Sequence, residues 1–75
     1  MTGFPTKQEI ERTRRMYPVG CRVELVLTDD PFTSLWPGSQ GVVDHIDGAG
    51  QVGIQWDSGS NLSLIPGVDS FKRID

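Results

Sequence analysis

The hydrophobic pattern changes its period once, at Gly20, and this change limits the chain to a helix followed by strands. Before Gly20, Thr6 and Glu9 have the S/T-x-x-E spacing of a capping box, which predicts a helix over residues 6–16. Pro18 ends this helix, because the residue before a proline is pushed out of the α region. Four residues at helical spacing predict a thin stripe that packs on the rest of the protein: Ile10, Thr13, Met16 and Tyr17.

After Gly20 the chain predicts short strands. Apolar and polar residues alternate over 21–27, which places Cys21, Val23, Leu25 and Leu27 on one buried face. Further strands are predicted over 41–46, 51–56, 62–64 and 70–74, between turns rich in Gly, Pro and Asp. We therefore expect one mainly β (α+β) domain over residues 1–75, with the helix near 6–16 followed by a small SH3-like β-barrel of about five short antiparallel strands over 20–75.

Two turns and one tryptophan have specific predicted roles. The segment 47–50 is a hairpin turn, and 57–60 predicts a type I turn with a Gly bulge in which the Asp57 carboxylate accepts backbone amides. Trp56 ends the strand before that turn in phase with Val52 and Ile54, so we expect it in the core.

The chain has one cysteine, Cys21, and one histidine, His45, and these counts exclude an internal disulfide and a zinc site of the usual ligands. Cys21 begins a buried strand face, which predicts a core residue rather than a nucleophile. Asp44 precedes His45, and neighbours in a strand point to opposite faces, so we expect no hydrogen-bonded pair. The sequence thus predicts no enzyme, no catalytic residue, no metal and no cofactor.

Charge is divided unevenly along the chain, whose net charge is −3. Five cations against two acids give +3 over residues 1–22, and two cations against eight acids give −6 over residues 23–75. An acidic body argues against nucleic-acid binding, since phosphate contacts need cations. The N-terminus lacks a signal-peptide pattern and no apolar run exceeds residues 25–27, so we expect a cytoplasmic protein with no membrane partner.

Six motifs in register cover nearly the whole chain from about Pro5: Tyr17-Pro18-Val19-Gly20, Arg22-Val23-Glu24-Leu25, Asp29-Asp30-Pro31-Phe32-Thr33, Pro37-Gly38 with Gly41-Val42-Val43, Trp56-Asp57-Ser58-Gly59-Ser60 with Leu62 and Leu64-Ile65, and Asp69-Ser70-Phe71. Together they resemble a family of small SH3-like domains of unknown function encoded by bacteriophages, prophages and conjugative elements. The resemblance implies an SH3-like barrel, a mobile-element origin and a bacterial host cell. It implies no activity.

The long connection over 28–40 supplies the candidate site. Trp36 lies there outside any hydrophobic period and next to Pro37, which is typical of a recognition surface. We predict a non-enzymatic binding protein whose partner is a protein, with five contact residues: Asp29, Asp30, Phe32, Leu35 and Trp36.

Two alternatives stay open. The first is a nucleic-acid-binding module that uses the cations of the helix: Lys7, Arg12, Arg14 and Arg15. The second is a counter-defence inhibitor of a bacterial immune nuclease, which the small size, acidity and implied origin would suit. The oligomeric state is not predicted.

Overall fold

The computed structural model describes residues 6–28 and 35–75, which form one helix and one antiparallel sheet. The elements are α1 (Lys7–Met16), β1 (Arg22–Leu27), β2 (Gln40–Ile46), β3 (Val52–Trp56), β4 (Ser63–Leu64) and β5 (Ser70–Arg73). The predicted mainly β fold with an N-terminal helix and five short antiparallel strands is confirmed.

The sheet has the strand order β4-β3-β2-β1-β5, and every neighbouring pair is antiparallel. The first four strands follow one another as a meander, and β5 returns to pair with β1 on its free side. Within the described residues the two edge strands, β4 and β5, do not pair with each other, so the sheet is not closed.

The core lies on one face of this sheet. Trp56 is 3% exposed, as predicted, and its Nε1 donates a hydrogen bond to the carbonyl oxygen of Leu62 at 2.9 Å. That bond satisfies the polar atom of the buried indole. The other buried apolar residues come from every strand except β5 and from the two connections that enter β1 and β2: Cys21, Val23, Leu25, Leu35, Val43, Ile46, Val52, Ile54 and Leu64.

The helix begins where the capping box places it. The Thr6 amide donates to Glu9 Oε1 at 2.8 Å, and the Glu9 amide donates to Thr6 Oγ1 at 3.1 Å. The hydrogen bond from the Thr6 amide, followed by the interaction of the carboxylate with the Thr6 side chain, lowers the pKa of the Glu9 carboxyl. The capping box predicted from the spacing is therefore confirmed.

The packing of the helix differs from the prediction. α1 contributes no buried residue, and Met16, expected in the packed stripe, is 51% exposed. Tyr17, the residue after the helix, packs on the core, with its ring centroid 4.7 Å from that of Phe71. Ile10 and Thr13 are half-buried. Since Pro18 turns the chain into the sheet directly after Tyr17, the attachment to the core is at the end of the helix, and the predicted stripe is wrong at Met16.

A β-bulge explains why Leu27 is on the surface. Leu25 pairs with Phe71, but the next pair along the ladder is Leu27 with Ser70, so Val26 is an extra residue in β1. An extra residue reverses the alternation of faces beyond it. Leu27 is therefore 63% exposed, and its predicted burial is wrong.

Candidate functional site

Trp36 occupies the first position of a tight turn formed by residues 36–39. The amide of Ser39 donates to the Trp36 carbonyl at 2.9 Å, and the Trp36 amide donates to Ser39 Oγ at 3.1 Å. Pro37 at the second position and Gly38 with φ +96° at the third are the residues that a type II turn requires. The indole itself is 76% exposed. The sequence therefore places a large aromatic side chain on a backbone of defined shape.

Two further hydrogen bonds fix this turn to β1. The Gly38 amide donates to the Leu25 carbonyl at 2.7 Å, and the Leu25 amide donates to the Ser39 carbonyl at 2.8 Å. Leu25 is fully buried. The turn that carries the exposed Trp36 is thus hydrogen-bonded directly to a buried residue of β1.

The other predicted contact residues do not add to this surface in the described part of the chain. Leu35 is 6% exposed and belongs to the core, so its side chain anchors the residue before Trp36. Asp29, Asp30 and Phe32 lie outside the described residues. Of the predicted contact residues that the structure describes, Leu35 is therefore buried in the core, and Trp36, next to it in the chain, is exposed.

The helix carries the four cations of the nucleic-acid alternative: Lys7, Arg12, Arg14 and Arg15. All four are exposed, and within residues 6–28 and 35–75 none of them pairs with a carboxylate. The cations of the sheet behave differently. Arg22 contacts Asp57 at 2.8 Å, and Lys72 lies 4.0 Å from Glu24. Free positive charge is therefore concentrated on α1.

The beginning of β1 is held by a small charged network. The Arg22 amide donates to Asp75 Oδ2 at 3.1 Å, and the Arg73 Nε donates to Asp75 Oδ1 at 2.9 Å. The hydrogen bond from Arg73, followed by that from the Arg22 amide, lowers the pKa of the Asp75 carboxyl. The hydrogen-bonding groups of this network are paired with one another and join β1 to β5, so the network has a structural role.

The turn after β3 confirms one prediction and corrects another. The Gly59 amide donates to the Trp56 carbonyl at 2.8 Å, the Trp56 amide donates to the Ser60 carbonyl at 3.0 Å, and Gly59 has φ +96°. This is the predicted turn with its Gly bulge. The Asp57 carboxylate, however, accepts from Arg22 Nη1 and not from backbone amides, because the guanidinium reaches it from β1.

The hairpin turn between β2 and β3 follows the prediction more closely. Asp47 Oδ1 accepts the amides of Ala49 and Gln51, each at 2.9 Å, and Gly50 has φ +85°. This carboxylate therefore stabilises the turn.

His45 and Asp44 correct a prediction about strand geometry. His45 Nδ1 lies 3.3 Å from Asp44 Oδ2, although neighbours in a regular strand point to opposite faces. The ladder steps from Val43 with Ile54 to His45 with Gly53, so Asp44 is the extra residue of a β-bulge and can reach the same side as His45. The predicted separation of the two side chains is wrong for this reason.

Cys21 is not part of that pair. It is 4% exposed on the core face, and burial raises the pKa of its thiol, while the His45 side chain is 60% exposed. The structure therefore does not bring the cysteine and the histidine together. In the described ranges, no group of three or more His, Cys, Asp or Glu side chains could hold a metal ion.

Asp69 has a structural role that the sequence did not predict. Its Oδ1 accepts from Thr28 Oγ1 at 3.0 Å and its Oδ2 accepts the Ile65 amide at 2.9 Å. The carboxylate thus ties the end of β1 to the turn before β5. The local signal was present, since Asp after a Pro-Gly turn is a common acceptor, but the contact with Thr28 spans 41 residues.

Comparisons with known proteins give one match. A family model described as a domain of unknown function, DUF4314, matches residues 6–74. No curated protein matches the chain. No solved structure matches it either. None of the helices in the described ranges is long and apolar enough to cross a membrane.

Proposed function

The chain belongs to the DUF4314 family of domains of unknown function, and we propose that it acts as a non-enzymatic binding domain whose partner is a protein. We further propose that the sheet belongs to an SH3-like barrel, which the return of β5 to β1 supports, and that the domain originates from phages or other mobile elements, which the resemblance of its motifs supports.

The observation that supports protein binding is the exposed Trp36 on its fixed turn. An aromatic side chain that is 76% exposed buries a large area when a partner covers it. The backbone of residues 36–39 is already held by hydrogen bonds to itself and to β1, so little further ordering of that backbone opposes binding. Both properties are typical of a central contact residue in a protein interface.

The test is capture of a bacterial protein from host lysate by the full chain, followed by a binding titration with the captured protein. Trp36→Ala should abolish capture while the domain stays folded, because a central aromatic contact is commonly worth about 2 kcal/mol or more. Val19→Ala is the matched control, since Val19 is 69% exposed and also lies in a hydrogen-bonded turn whose third residue is a positive-φ glycine. Undiminished capture by folded Trp36→Ala would refute the proposal.

A second candidate, nucleic-acid binding, is favoured by one observation: in the described ranges the cations of α1 form no salt bridge, while those of the sheet contact carboxylates. Here Arg12→Glu with Arg15→Glu should remove binding to random duplex DNA, and Trp36→Ala should leave it nearly intact. Protein binding through Trp36 predicts the reverse order. The same two variants therefore separate the candidates.

A further inference from the structure

Seven side chains of α1, with that of Tyr17 directly after it, fall into three rows around the helix axis, and Glu9, Glu11 and Met16 lie between those rows. Successive residues are about 100° apart, so the half-buried Ile10, Thr13 and Tyr17 lie within about 60° of one another. The opposite side of the helix, which we call the outer row, is formed by Gln8, Arg12 and Arg15, and all three are exposed.

Lys7 and Arg14 form the third row, the flank row. They lie within about 20° of each other around the axis, between the outer row and the half-buried side. Because α1 contributes no buried residue, most of its circumference is open to a ligand. The cations of the two rows span about 160° of that circumference, and the Glu11 carboxylate lies inside this arc.

This distribution fits the major groove of duplex DNA better than a flat acidic surface. A helix with its side chains is about 10–12 Å across, and the groove is about 12 Å wide with phosphates on both walls. A flat surface meets about 100° of a helix circumference, which is less than the arc of about 160° that the cations of the two rows span. Charge complementarity over such a broad arc therefore favours a ligand that surrounds the helix.

Two other nucleic acids fit less well. Single strands are bound largely by stacking of bases on aromatic side chains. The residues of α1, Lys7–Met16, include no aromatic side chain, and Tyr17, which directly follows them, packs against Phe71 and the core. In A-form RNA the major groove is too deep and narrow for side chains to read. Duplex DNA remains as the ligand.

We propose that α1 enters the major groove of duplex DNA, with the outer row at the base edges and the flank row at the phosphates. This inference rests on the second candidate function. A Gln side chain can form two hydrogen bonds to adenine N6 and N7, and an Arg side chain can form two to guanine O6 and N7. Gln8 and Arg15 are seven residues apart, which is about 10 Å along the axis and spans three to four base pairs.

Glu11 is also exposed and lies between the two rows. Its carboxylate cannot contact a phosphate favourably, but it can accept a hydrogen bond from a cytosine amino group. Its position beside the outer row therefore adds a base preference and lowers affinity for arbitrary DNA.

The test combines selection from a random duplex library with titration of the full chain against one selected and one scrambled duplex at several salt concentrations. The parent should select a motif of three to four base pairs that contains adenine and guanine. Gln8→Ala should reduce discrimination at one position by about 5- to 100-fold and keep the salt dependence. Lys7→Gln with Arg14→Gln should weaken binding to both duplexes alike and reduce the logarithmic salt slope by about 2.

The control variant Ser58→Glu with Asn61→Glu makes the same change in net charge on exposed residues near the β3–β4 turn and should bind like the parent. Binding to duplex DNA that depends on α1 but shows no base preference would overturn this inference and leave the nucleic-acid function standing. A folded parent that binds no duplex at low salt, whether or not it binds an acidic protein, would overturn both.

Discussion

Two buried glycines in adjacent strands should respond very differently to alanine. A Cβ on Gly41 would lie 2.6 Å from the Gln55 carbonyl oxygen and 2.8 Å from the Trp56 Cα, both in the backbone of β3. Ordinary contact begins at 3.4 Å, so β2 and β3 would have to separate by several tenths of an ångström. Overpacking of this kind costs about 1–3 kcal/mol, a large share of the roughly 3–5 kcal/mol expected for a domain this small.

Gly53 is crowded by a side chain and not by backbone. A methyl group there would overlap the ring of His45, whose side chain is 60% exposed and can rotate into solvent. The rotation loses the contact with Asp44, an exposed pair worth about 0–1 kcal/mol. Alanine also reduces the entropy of the unfolded chain, which stabilises by about 0.4–1 kcal/mol. We therefore expect Gly53→Ala to stay within about 1 kcal/mol of the parent.

Urea titration of Gly41→Ala, Gly53→Ala and the double variant Gly53→Ala with His45→Ala measures these differences. Gly41→Ala should lose at least about 1 kcal/mol more than Gly53→Ala, and removing the ring in the double variant should relieve whatever cost Gly53→Ala shows. Equal losses for the two glycines, with no relief from His45→Ala, would show that the space above Gly53 is not set by the imidazole and would refute the reasoning.

Three further predictions follow from the core and the charged network. Trp56→Ala should lose about 3–5 kcal/mol and be largely unfolded, whereas Trp36→Ala should have nearly the midpoint of the parent in a denaturant titration; equal midpoints would contradict the assignment of core and surface. The pKa of Asp75 is lowered in the folded state, so its carboxylate stabilises the fold at pH values above its pKa in the unfolded chain. This contribution is lost as the pH falls through its pKa in the folded protein. Asp75→Asn should therefore destabilise the protein at pH 7 and much less at low pH, which denaturant midpoints measured at both pH values would show. Cys21→Ser should reduce the free energy of unfolding by about 1–3 kcal/mol, since it buries a hydroxyl on the core face. Neither Cys21→Ser nor His45→Gln should alter partner capture by the folded protein. A loss of capture in either variant would revive a chemical role for that residue.

The features predicted correctly from the sequence depend on residues close together in the chain. The capping box needs only Thr6 and Glu9, and the turn after Trp56 needs only the residues up to Ser60. Trp56 in the core followed from simple alternation within β3. In each case the physical cause acts over a few residues, so the pattern alone could show it.

The errors arise where a distant strand decides the outcome. Val26 and Asp44 are extra residues only relative to the strands they pair with, and no local pattern marks a bulge. The same holds for Leu35, which has no hydrophobic period of its own and is buried because it meets the core face. For Trp36 the sequence was equally compatible with exposure and burial, and only the structure decides between them.

The open sheet also bears on how the protein avoids polymerising. Unpaired edge strands are templates on which another chain can add a strand. Here β4 is only two residues long and is followed within two residues by Pro66, which cannot donate a hydrogen bond. The opposite edge, β5, carries the exposed charges of Lys72 and Arg73. Both edges, as far as the described residues form them, thus discourage the addition of a further strand, which is the step by which open sheets polymerise.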